Sequence, residues 1–392
     1  MTKRSVSDAD VRGKRVLVRV DFNVPLRGDE VVDDTRIRAA LPTIRLLLDR
    51  GAAVILASHL GRPKGKPDPK YSIAPAAARL GELLGTPVAT AGDVVGAEAQ
   101  AAATALRPGQ VLVLENTRFE PGEEQNDPQL SQALASLADL YVNDAFGAAH
   151  RAHASTVGVT EHLPSYAGLL LLKEVSVLSR LLEEPERPFV AILGGAKVSD
   201  KLAVISHLLE RVDALLLGGG MANTLLLADS KEIGKSLAEP ELVTEARELL
   251  AQARARGVDV LVPRDVIVAE RIESTAFETV PSGAVPSGMA IFDIGPETVQ
   301  EYCTRIAAAG TVFWNGPMGV FEQTPFASGT IGIAHCVAAS PAFTVVGGGD
   351  SIAAIEAAGV NSKIDHISTG GGASLELLEG RALPGIAALP DA

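Results

Sequence analysis

The sequence predicts an α/β protein with two domains, each built on a parallel sheet that helices cover. Short runs of Val, Ile and Leu, each of strand length, alternate with stretches of helix length along all 392 residues. Nearly continuous apolar strands that alternate with helices are typical of βαβ units, whose sheets are buried on both faces. The alternation is interrupted once, by a long amphipathic stretch at 166–184. Because the chain is also too long for one ordinary domain, we place a domain boundary on this helix.

The remaining elements follow from the same two patterns. Strands are predicted at 15–20, 53–57, 111–114, 140–142, 189–193, 214–217, 258–262, 311–314 and 343–346. Helices are predicted near 36–50, 73–84, 128–138, 199–211, 239–256, 296–309, 326–339 and 350–358, and in the apolar run after Gly372. Pro185 and Pro188 end the long helix before the first strand of the second domain.

Composition and charge exclude several classes of protein. The net charge is −13; residues 1–165 carry 19 basic and 20 acidic side chains, and residues 166–392 carry 16 and 28. An acidic chain of this kind does not bind nucleic acid through a diffuse basic field. No apolar run approaches the ~20 residues that span a bilayer, and the first residues lack the apolar core of a signal peptide. We therefore expect no nucleic-acid partner, no membrane association and a cytoplasmic location.

The two cysteines support the same expectation of a reducing compartment. Cys303 and Cys336 stand without a CxxC motif and without histidines at metal-ligand spacing. We interpret both as buried, small apolar side chains that stand alone, and not as nucleophiles.

Polar clusters follow the strands of the first half. Ligands of parallel sheets bind beyond the carboxyl ends of the strands, so these clusters are candidate binding residues. They contain Asp21 and Asn23, His59 and Arg62, Glu115 and Arg118, Asn143 and Asp144, and then His150, Arg151 and His153, while Arg36 opens the first helix. Any one cluster is most simply an ordinary exposed loop. Together, the four arginines predict a receptor for a small, multiply anionic ligand, because guanidinium groups bind carboxylate and phosphate with two parallel hydrogen bonds.

The second half places glycines where the first half places arginines. The glycine loops are 194–201, 218–220, 315–322, 347–351 and 370–372. Glycine lets phosphate approach the backbone, and a helix that starts there adds positive dipole charge. Lys197 and Lys201 lie one helical turn apart, and Asp350 offers a carboxylate of the kind that Mg²⁺ prefers. These features predict a nucleotide site.

Three other motifs are less convincing. His150 and His153 suggest a metal pair, but no Cys or third His accompanies them. Gly234-Lys235-Ser236 suggests a P-loop, but Asp229 stands where that motif needs glycine and no strand precedes it. No GxGxxG sequence is present, so the dinucleotide fingerprint is missing.

Seven ordered stretches together resemble the phosphoglycerate kinase family over essentially the whole chain. They are Val18–Pro25, Ser58–Pro63, His150–His153, Gly194–Val198, Trp314–Glu322, Gly347–Asp350 and Gly370–Ser374. The resemblance implies two Rossmann-like α/β domains joined by a long interdomain helix. The implied boundaries are 1–165 for the acid-binding domain, 166–184 for the helix, 185–370 for the nucleotide-binding domain and 371–392 for a segment that returns to the first domain.

The resemblance also implies a role for each candidate residue. 3-Phosphoglycerate or 1,3-bisphosphoglycerate would bind to Asp21, Asn23, Arg36, His59, Arg62, Arg118 and Arg151. ATP or ADP would bind to Lys201, Glu322, Gly348, Gly349, Asp350 and Ser351, with Glu322 on the ribose hydroxyls and Asp350 on Mg²⁺. The phosphoryl group in transfer would be stabilised by Arg36, Lys197, Gly371 and Gly372. The family further suggests a monomer.

The implied activity is reversible phosphoryl transfer from the acyl phosphate of 1,3-bisphosphoglycerate to MgADP, a step of glycolysis. Such a phosphotransferase, with a carboxyl group as acceptor, uses nucleophiles that are already anionic, so it needs positioned positive charge and no general base. Water must also be excluded, and we expect hinge bending about the helix at 166–184 to do so. A two-domain NAD-dependent dehydrogenase is one alternative, but the dinucleotide fingerprint of that class is missing from this sequence. A non-catalytic anion-binding protein is another, but it would leave Lys197, Lys201 and the glycine loops unexplained.

Overall fold

A computed structural model describes residues 3–392, and within them the chain forms two compact units. Unit 1 comprises the residues up to Ser176 together with Ala382–Ala392, and unit 2 comprises Val177–Arg381. The boundary at residues 176 and 177 falls inside a helix, Leu169–Glu183, in the region where the sequence predicts one. The domain boundaries implied by the resemblance stay predictions.

The elements of the described chain follow in order. The strands are β1 Arg15–Arg19, β2 Leu26–Arg27, β3 Glu30–Val31, β4 Ala53–Ala57, β5 Val88–Thr90, β6 Val111–Val113, β7 Leu140–Asn143, β8 Ser165–Ala167, β9 Phe189–Leu193, β10 Ala214–Leu217, β11 Asp259–Leu261, β12 Asp265–Ala269, β13 Glu278–Pro281, β14 Ala290–Ile294, β15 Thr311–Asn315, β16 Phe343–Gly347 and β17 His366–Ser368. The α-helices are α1 Thr35–Asp49, α2 Ala74–Leu84, α3 Ala97–Ala105, α4 Pro128–Ser136, α5 Leu169–Glu183, α6 Leu202–Leu208, α7 Gly219–Ala228, α8 Val243–Arg256, α9 Pro296–Ala307, α10 Ser328–Ala339, α11 Gly349–Ala357, α12 Gly372–Leu378 and α13 Pro384–Ala387.

Unit 1 is built on a six-stranded parallel sheet in the order β5-β6-β4-β1-β7-β8. The central strands carry Val and Leu on both faces, and β4 is buried along its whole length. Because all six strands run the same way, the segments that follow β1, β4, β6 and β7 leave the sheet at one edge. That edge positions the polar clusters of the first half.

The carboxyl-terminal residues pack within unit 1. Lys3 Nζ lies 2.8 Å from a carboxylate oxygen of Asp391, and Arg4 N–H donates to the carbonyl of Pro390 at 3.0 Å. Asn143 Nδ2 donates to the carbonyl of Gly385 at 3.1 Å. The last eleven residues, Ala382–Ala392, therefore complete the unit in which the chain begins.

Unit 2 contains a second six-stranded parallel sheet, in the order β11-β10-β9-β15-β16-β17. Trp314 of β15 is fully buried, and its Nε1–H donates to the carbonyl of Gly316 at 2.7 Å. A separate antiparallel sheet, β13-β12-β14, was not predicted, although the last four residues of β12, 266–269, are an apolar run. The two parallel sheets flanked by helices confirm the predicted fold class.

The interpretation of the cysteines as separate buried thiols is wrong. Cys303 of α9 and Cys336 of α10 form a disulfide with 5.4 Å between their Cα atoms, and both residues are half-buried. The two helices pack side by side, which brings together residues that are 33 positions apart. Spacing in the sequence cannot reveal such a pair, because neither cysteine belongs to a local motif.

We expect reduction of this disulfide to lower the free energy of unfolding of unit 2. A cross-link over 33 residues restricts the unfolded chain, and its loss typically costs about 2–4 kcal/mol. Urea unfolding with and without dithiothreitol measures the difference. The double variant Cys303→Ala/Cys336→Ala is the control and should not respond to the reductant; equal stability of the oxidised and reduced wild-type protein would contradict the prediction.

Asp144 directly follows β7, and its buried carboxyl group contacts the first residues of α5. Its Oδ1 accepts the N–H groups of Leu170 and Leu171 at 2.9 and 3.2 Å, while its Oδ2 is buried without a partner. Burial raises the pKa of Asp144 to about 7, although hydrogen bonds from Thr43, Leu171 and Leu170 oppose the shift. The folded protein therefore binds this proton up to a higher pH than the unfolded chain does.

This raised pKa predicts that unit 1 loses stability as the pH rises. Between the unfolded value near 3.8 and the folded value near 7, the native state binds more protons than the unfolded state, so the free energy of unfolding falls with increasing pH. From pH 5 to pH 8 the loss from this residue is on the order of 3 kcal/mol. Denaturant unfolding across this range should show a smaller slope for Asp144→Asn than for wild type. Asp10→Asn, at an exposed position in unit 1, should keep the wild-type slope; an unchanged slope in Asp144→Asn would refute the assignment.

Candidate active site

The carboxyl edge of the unit 1 sheet holds the first group of candidate residues. Asp21 and Asn23 follow β1, and Arg36 lies in the first turn of α1. Arg36 Nη1 donates to the carbonyl of Asn23 at 3.0 Å and lies 3.3 Å from Asp21 Oδ2. Asp21 is nearly buried, whereas the Arg36 side chain is one-third exposed (33%), so the guanidinium is oriented by the loop and still accessible to a ligand.

The segment after β4 is tied to this loop. Asn23 Oδ1 accepts the N–H of Gly61 at 2.9 Å, and Arg118 Nη1 donates to the carbonyl of Gly61 at 2.7 Å. Arg118 also forms an ion pair with Glu124 at 3.2 Å, and burial lowers its pKa somewhat from the ordinary arginine value. Three strand ends thus converge on the backbone of one glycine.

The two remaining arginines are exposed. Arg62 follows Gly61 directly, and Arg151 Nε lies 3.1 Å from His150 Nε2. Arg151 is close enough to Arg118 to lower its pKa electrostatically. The structure therefore places Asp21, Asn23, Arg36, His59, Arg118 and Arg151 at one edge, with Arg62 adjoining it.

The pKa of His59 reflects the positive charge at this edge of the sheet. Burial is the main cause that lowers its pKa well below the ordinary histidine value, and Arg19, Arg118 and Arg36 lower it further. Burial likewise lowers the pKa of His153 to about 3. Both imidazoles are neutral at physiological pH, and the charged groups that act on His59 are cations. An edge of this kind attracts anions.

A second candidate region lies in unit 2. A cavity of about 680 Å³ is lined by loops that follow β9, β10 and β15 and by one side of the antiparallel sheet. Its lining includes Gly195, Ala196, Gly219, Gly220, Glu322 and Asp350. Cavities of this size accommodate cofactor-sized ligands, and glycines in the wall leave backbone N–H groups accessible.

The lysines of this region differ in environment. Lys201 contacts Asn315 Oδ1, and burial lowers the pKa of its ammonium group to about 8. Asn315 in turn donates from Nδ2 to the carbonyl of Gly347 at 2.7 Å, which ties the ends of β15 and β16. Lys197 is exposed in the loop between β9 and α6. Lys201 is thus held by the fold, and Lys197 is accessible.

The loop from β16 into α11 needs its glycine. Gly348 has φ +94°, and a Cβ atom there would lie 2.8 Å from Asn315 Nδ2. The hydroxyl of Ser351 is buried and accepts the N–H of Gly316 at 2.6 Å, so this side chain joins two loops. Asp350 is exposed in the first turn of α11 and lines the cavity.

Asp350 is the predicted metal ligand. Within residues 3–392, no group of three or more His, Cys, Asp or Glu side chains is arranged to hold a metal ion. A single exposed carboxylate on the wall of a cavity fits Mg²⁺, which is usually bound through one or two carboxylates together with substrate phosphates.

Gly371 and Gly372 begin α12. Gly371 has φ +51°, a left-handed conformation that favours glycine, and the N–H of Gly370 donates to Ser368 Oγ at 3.2 Å. Gly371 therefore makes the turn that leads from β17 into α12, and the hydrogen bond from Gly370 to Ser368 stabilises this turn.

Some residues of both regions were missed by sequence reasoning. Lys235 lines the cavity of unit 2. It belongs to the Gly234-Lys235-Ser236 triplet, which does not match the P-loop motif. Arg19 of β1 is fully buried and contacts His59. Its position inside an apolar strand was the available signal, since buried charges are rare and need a partner.

Comparison with known proteins accords with this geometry. The family model for phosphoglycerate kinase matches residues 6–381. The phosphoglycerate kinases of Chloroflexus aggregans and Moorella thermoacetica are each 58% identical to this chain, over 399 and 392 positions that cover all of both proteins.

Solved structures agree. The phosphoglycerate kinase of Coxiella burnetii matches with a TM-score of 0.90 at 42% identity, and that of Pyrococcus horikoshii with 0.87 at 35%. Each match covers 98% of both chains. No α-helix in residues 3–392 is long and apolar enough to cross a membrane. On these matches over nearly its whole length, the chain belongs to the phosphoglycerate kinase family.

Proposed function

We propose that unit 1 binds 3-phosphoglycerate or 1,3-bisphosphoglycerate, that unit 2 binds ATP or ADP with Mg²⁺, and that the chain transfers a phosphoryl group between them. The observation that supports this assignment is the cationic edge of unit 1 around His59. There Arg36 donates to the carbonyl of Asn23, and Arg118 donates to the carbonyl of Gly61. A small molecule with both a carboxylate and a phosphate complements such an edge.

In unit 1, the guanidinium groups bind the anionic ends of the acid. Arg36 is oriented by the carbonyl of Asn23 and by Asp21, so its remaining N–H groups are directed by the protein before the ligand arrives. Arg62, Arg118 and Arg151 supply further charge. Asp21, Asn23 and His59 bind the hydroxyl and carboxyl oxygens, for which neutral donors and a carboxylate acceptor are suited.

In unit 2, the nucleotide occupies the glycine-lined cavity. Glu322 lines this cavity, and its carboxylate accepts hydrogen bonds from the ribose hydroxyls. Lys201 and the first turn of α11, with the N–H groups of Gly349, Asp350 and Ser351, bind phosphate oxygens, because a helix N-terminus carries positive dipole charge. Gly348 allows the chain to enter that helix.

Magnesium fits the single carboxylate of Asp350 together with nucleotide phosphates. When bound, the ion neutralises phosphate charge and polarises the phosphoryl oxygens. The protein's part is to hold Asp350 in the first turn of α11, beside the cavity.

The reaction needs no base from the protein. In the direction of ATP use, a carboxylate oxygen of 3-phosphoglycerate forms a bond to the γ-phosphorus while the bond from that phosphorus to the β,γ-bridging oxygen breaks, and ADP leaves. Both the nucleophile and the leaving group are anions, so no proton is transferred. Arg36, Lys197 and the N–H groups of Gly371 and Gly372 stabilise the charge on the phosphoryl oxygens during transfer.

The variant Gly371→Pro tests the turn before α12. If it weakened ATP binding but left kcat intact, the assignment of Gly371 to the transfer step would be wrong.

Transfer without hydrolysis requires that water be excluded while the two substrates meet. We propose that the units close about α5, which contains the boundary between them. Small-angle scattering that detects no compaction when both substrates are added would contradict closure.

We further propose that the protein acts as a cytoplasmic monomer; sedimentation of the purified protein tests the oligomeric state, and cell fractionation tests the location.

A turnover assay tests the function. Purified protein with MgATP and 3-phosphoglycerate should form ADP, detected by a coupled enzyme, and omission of either substrate should abolish the signal. A dehydrogenase would instead reduce NAD⁺, and a binding protein would bind the acid without turnover. Absence of ADP formation by folded protein would overturn the proposal.

A further inference from the structure

A chain of buried polar side chains lies behind His59 in unit 1. Arg19 is fully buried on β1, where it donates from Nε to Ser155 Oγ at 2.8 Å and from Nη1 to the carbonyl of Val20 at 2.5 Å. Its third contact is from Nη2 to His59 Nδ1 at 3.1 Å. This guanidinium faces the interior, so it is not itself available to a ligand.

The series of hydrogen bonds that runs from His59 through Arg19 and Ser155 ends at a buried carboxylate. Glu123 is fully buried, and its two oxygens accept the hydroxyl of Ser155 at 2.5 Å and the N–H of Ser155 at 3.0 Å. The Ser155 hydroxyl therefore donates to Glu123 and accepts from Arg19. This serine links two buried opposite charges that do not touch each other, which balances the charge of Arg19.

The chemistry of these groups fixes the direction of every hydrogen bond. A guanidinium has five N–H donors and no acceptor, and it stays protonated in proteins. His59 Nδ1 must therefore accept, which leaves the imidazole proton on Nε2. We propose that Arg19 is a positioning residue that holds His59 as the neutral Nε2–H tautomer, so that His59 presents a hydrogen-bond donor to the acid substrate. The second half of this statement rests on the proposed function of His59 in binding that substrate.

The surroundings of His59 favour the same protonation state. The charged or titratable groups that act on it are Arg19 from β1, Arg36 from α1, Arg118 after β6 and His153 in the segment after β7. Burial disfavours the doubly protonated, cationic ring, and all four of these groups disfavour it further. A neutral donor lets the site bind an anion through His59 without a change of histidine charge between pH 6 and pH 8.

NMR of the wild-type protein tests the tautomer directly. In protein labelled with ¹⁵N-histidine, with the His59 signals identified from His59→Gln, Nδ1 should resonate as an unprotonated ring nitrogen and Nε2 as a protonated one. The signals should not titrate between pH 6 and pH 8. A protonated Nδ1, or titration with an ordinary histidine pKa, would overturn the inference whether or not any variant folds.

Arg19→Lys and Arg15→Lys form a matched pair on the same strand. Arg15 lies at the opposite end of β1, where it pairs with Asp139. A lysine at 19 cannot reach Ser155 and His59 together, so we expect both His59 tautomers to appear. The KM for 3-phosphoglycerate should rise about tenfold or more and become pH-dependent, as expected for loss of one hydrogen bond to a charged group. Arg15→Lys should match wild type in both.

The outcomes separate the inference from the proposed function. If Arg19→Lys raises KM but leaves the tautomer and the pH profile as in wild type, Arg19 is structural only and the inference fails. If the wild-type tautomer is as stated but 3-phosphoglycerate leaves the His59 signals unmoved, the tautomer holds, and the role of His59 toward the substrate is overturned together with that part of the proposed site.

Discussion

Replacement of Arg36 by alanine is expected to lower kcat by about a thousandfold, as is typical when an arginine that stabilises a phosphoryl group in transfer is removed. Arg36 is oriented by Asn23 and Asp21, so its loss removes charge that the fold holds in place. Steady-state kinetics with MgATP and 3-phosphoglycerate measure kcat, and calorimetry measures the Kd for MgATP. The Kd for MgATP should be unchanged, because no nucleotide-binding residue is altered.

Arg38 offers the control for this variant. It lies two residues further along α1, where it is half exposed (54%) and pairs with Asp34. Arg38→Ala should retain wild-type kcat within about twofold, as expected for an exposed ion pair that contributes little. If Arg36→Ala raised only the KM for 3-phosphoglycerate and left kcat intact, Arg36 would bind the ground state alone and its role in transfer would be wrong.

Lys197→Ala is expected to lower kcat by about a hundredfold to a thousandfold, the usual effect of removing one donor to charge that develops during the reaction. Lys197 is exposed in the loop after β9, with no burial that would make it a structural residue. The Kd for MgADP should change much less than kcat. The measurement is kcat by steady-state kinetics and Kd by calorimetry on the same preparation.

Lys201→Ala is the matched comparison in the same loop. Because Lys201 is half-buried and contacts Asn315, we expect its loss to raise the Kd for the nucleotide more than it lowers kcat. The two lysines should therefore show opposite patterns. Equal losses in kcat and in nucleotide affinity for Lys197→Ala would remove Lys197 from the transfer step.

The sequence predicted the parallel sheets because their strands are nearly continuous apolar runs. It missed short edge strands such as β5, whose residues are partly exposed, and β14, in which the apolar pattern contains Asp293. It also missed α7, which begins within a glycine triplet at Gly219 that reads as a loop. Each miss occurs where tertiary packing, and not local pattern, determines the element.

Those candidate residues that come directly after a strand could be predicted from the sequence. The arginine clusters of unit 1 could be assigned to one edge because parallel strands share a direction. The seven stretches then indicated phosphoglycerate kinase, and membership in that family is confirmed. The disulfide between Cys303 and Cys336 and the contact between Arg19 and His59 could not be predicted, because each joins residues that are distant in sequence and brought together by packing alone.

We propose that the phosphoryl group passes directly between two bound anions, stabilised by fixed positive charge and without a covalent enzyme intermediate. The stereochemical course at phosphorus tests it most directly, with ATP made chiral at the γ-phosphorus by oxygen isotopes and 3-phosphoglycerate as acceptor. A single in-line displacement predicts inversion of configuration in the 1,3-bisphosphoglycerate formed. Retention would require two successive displacements through a phosphorylated protein side chain and would contradict the account.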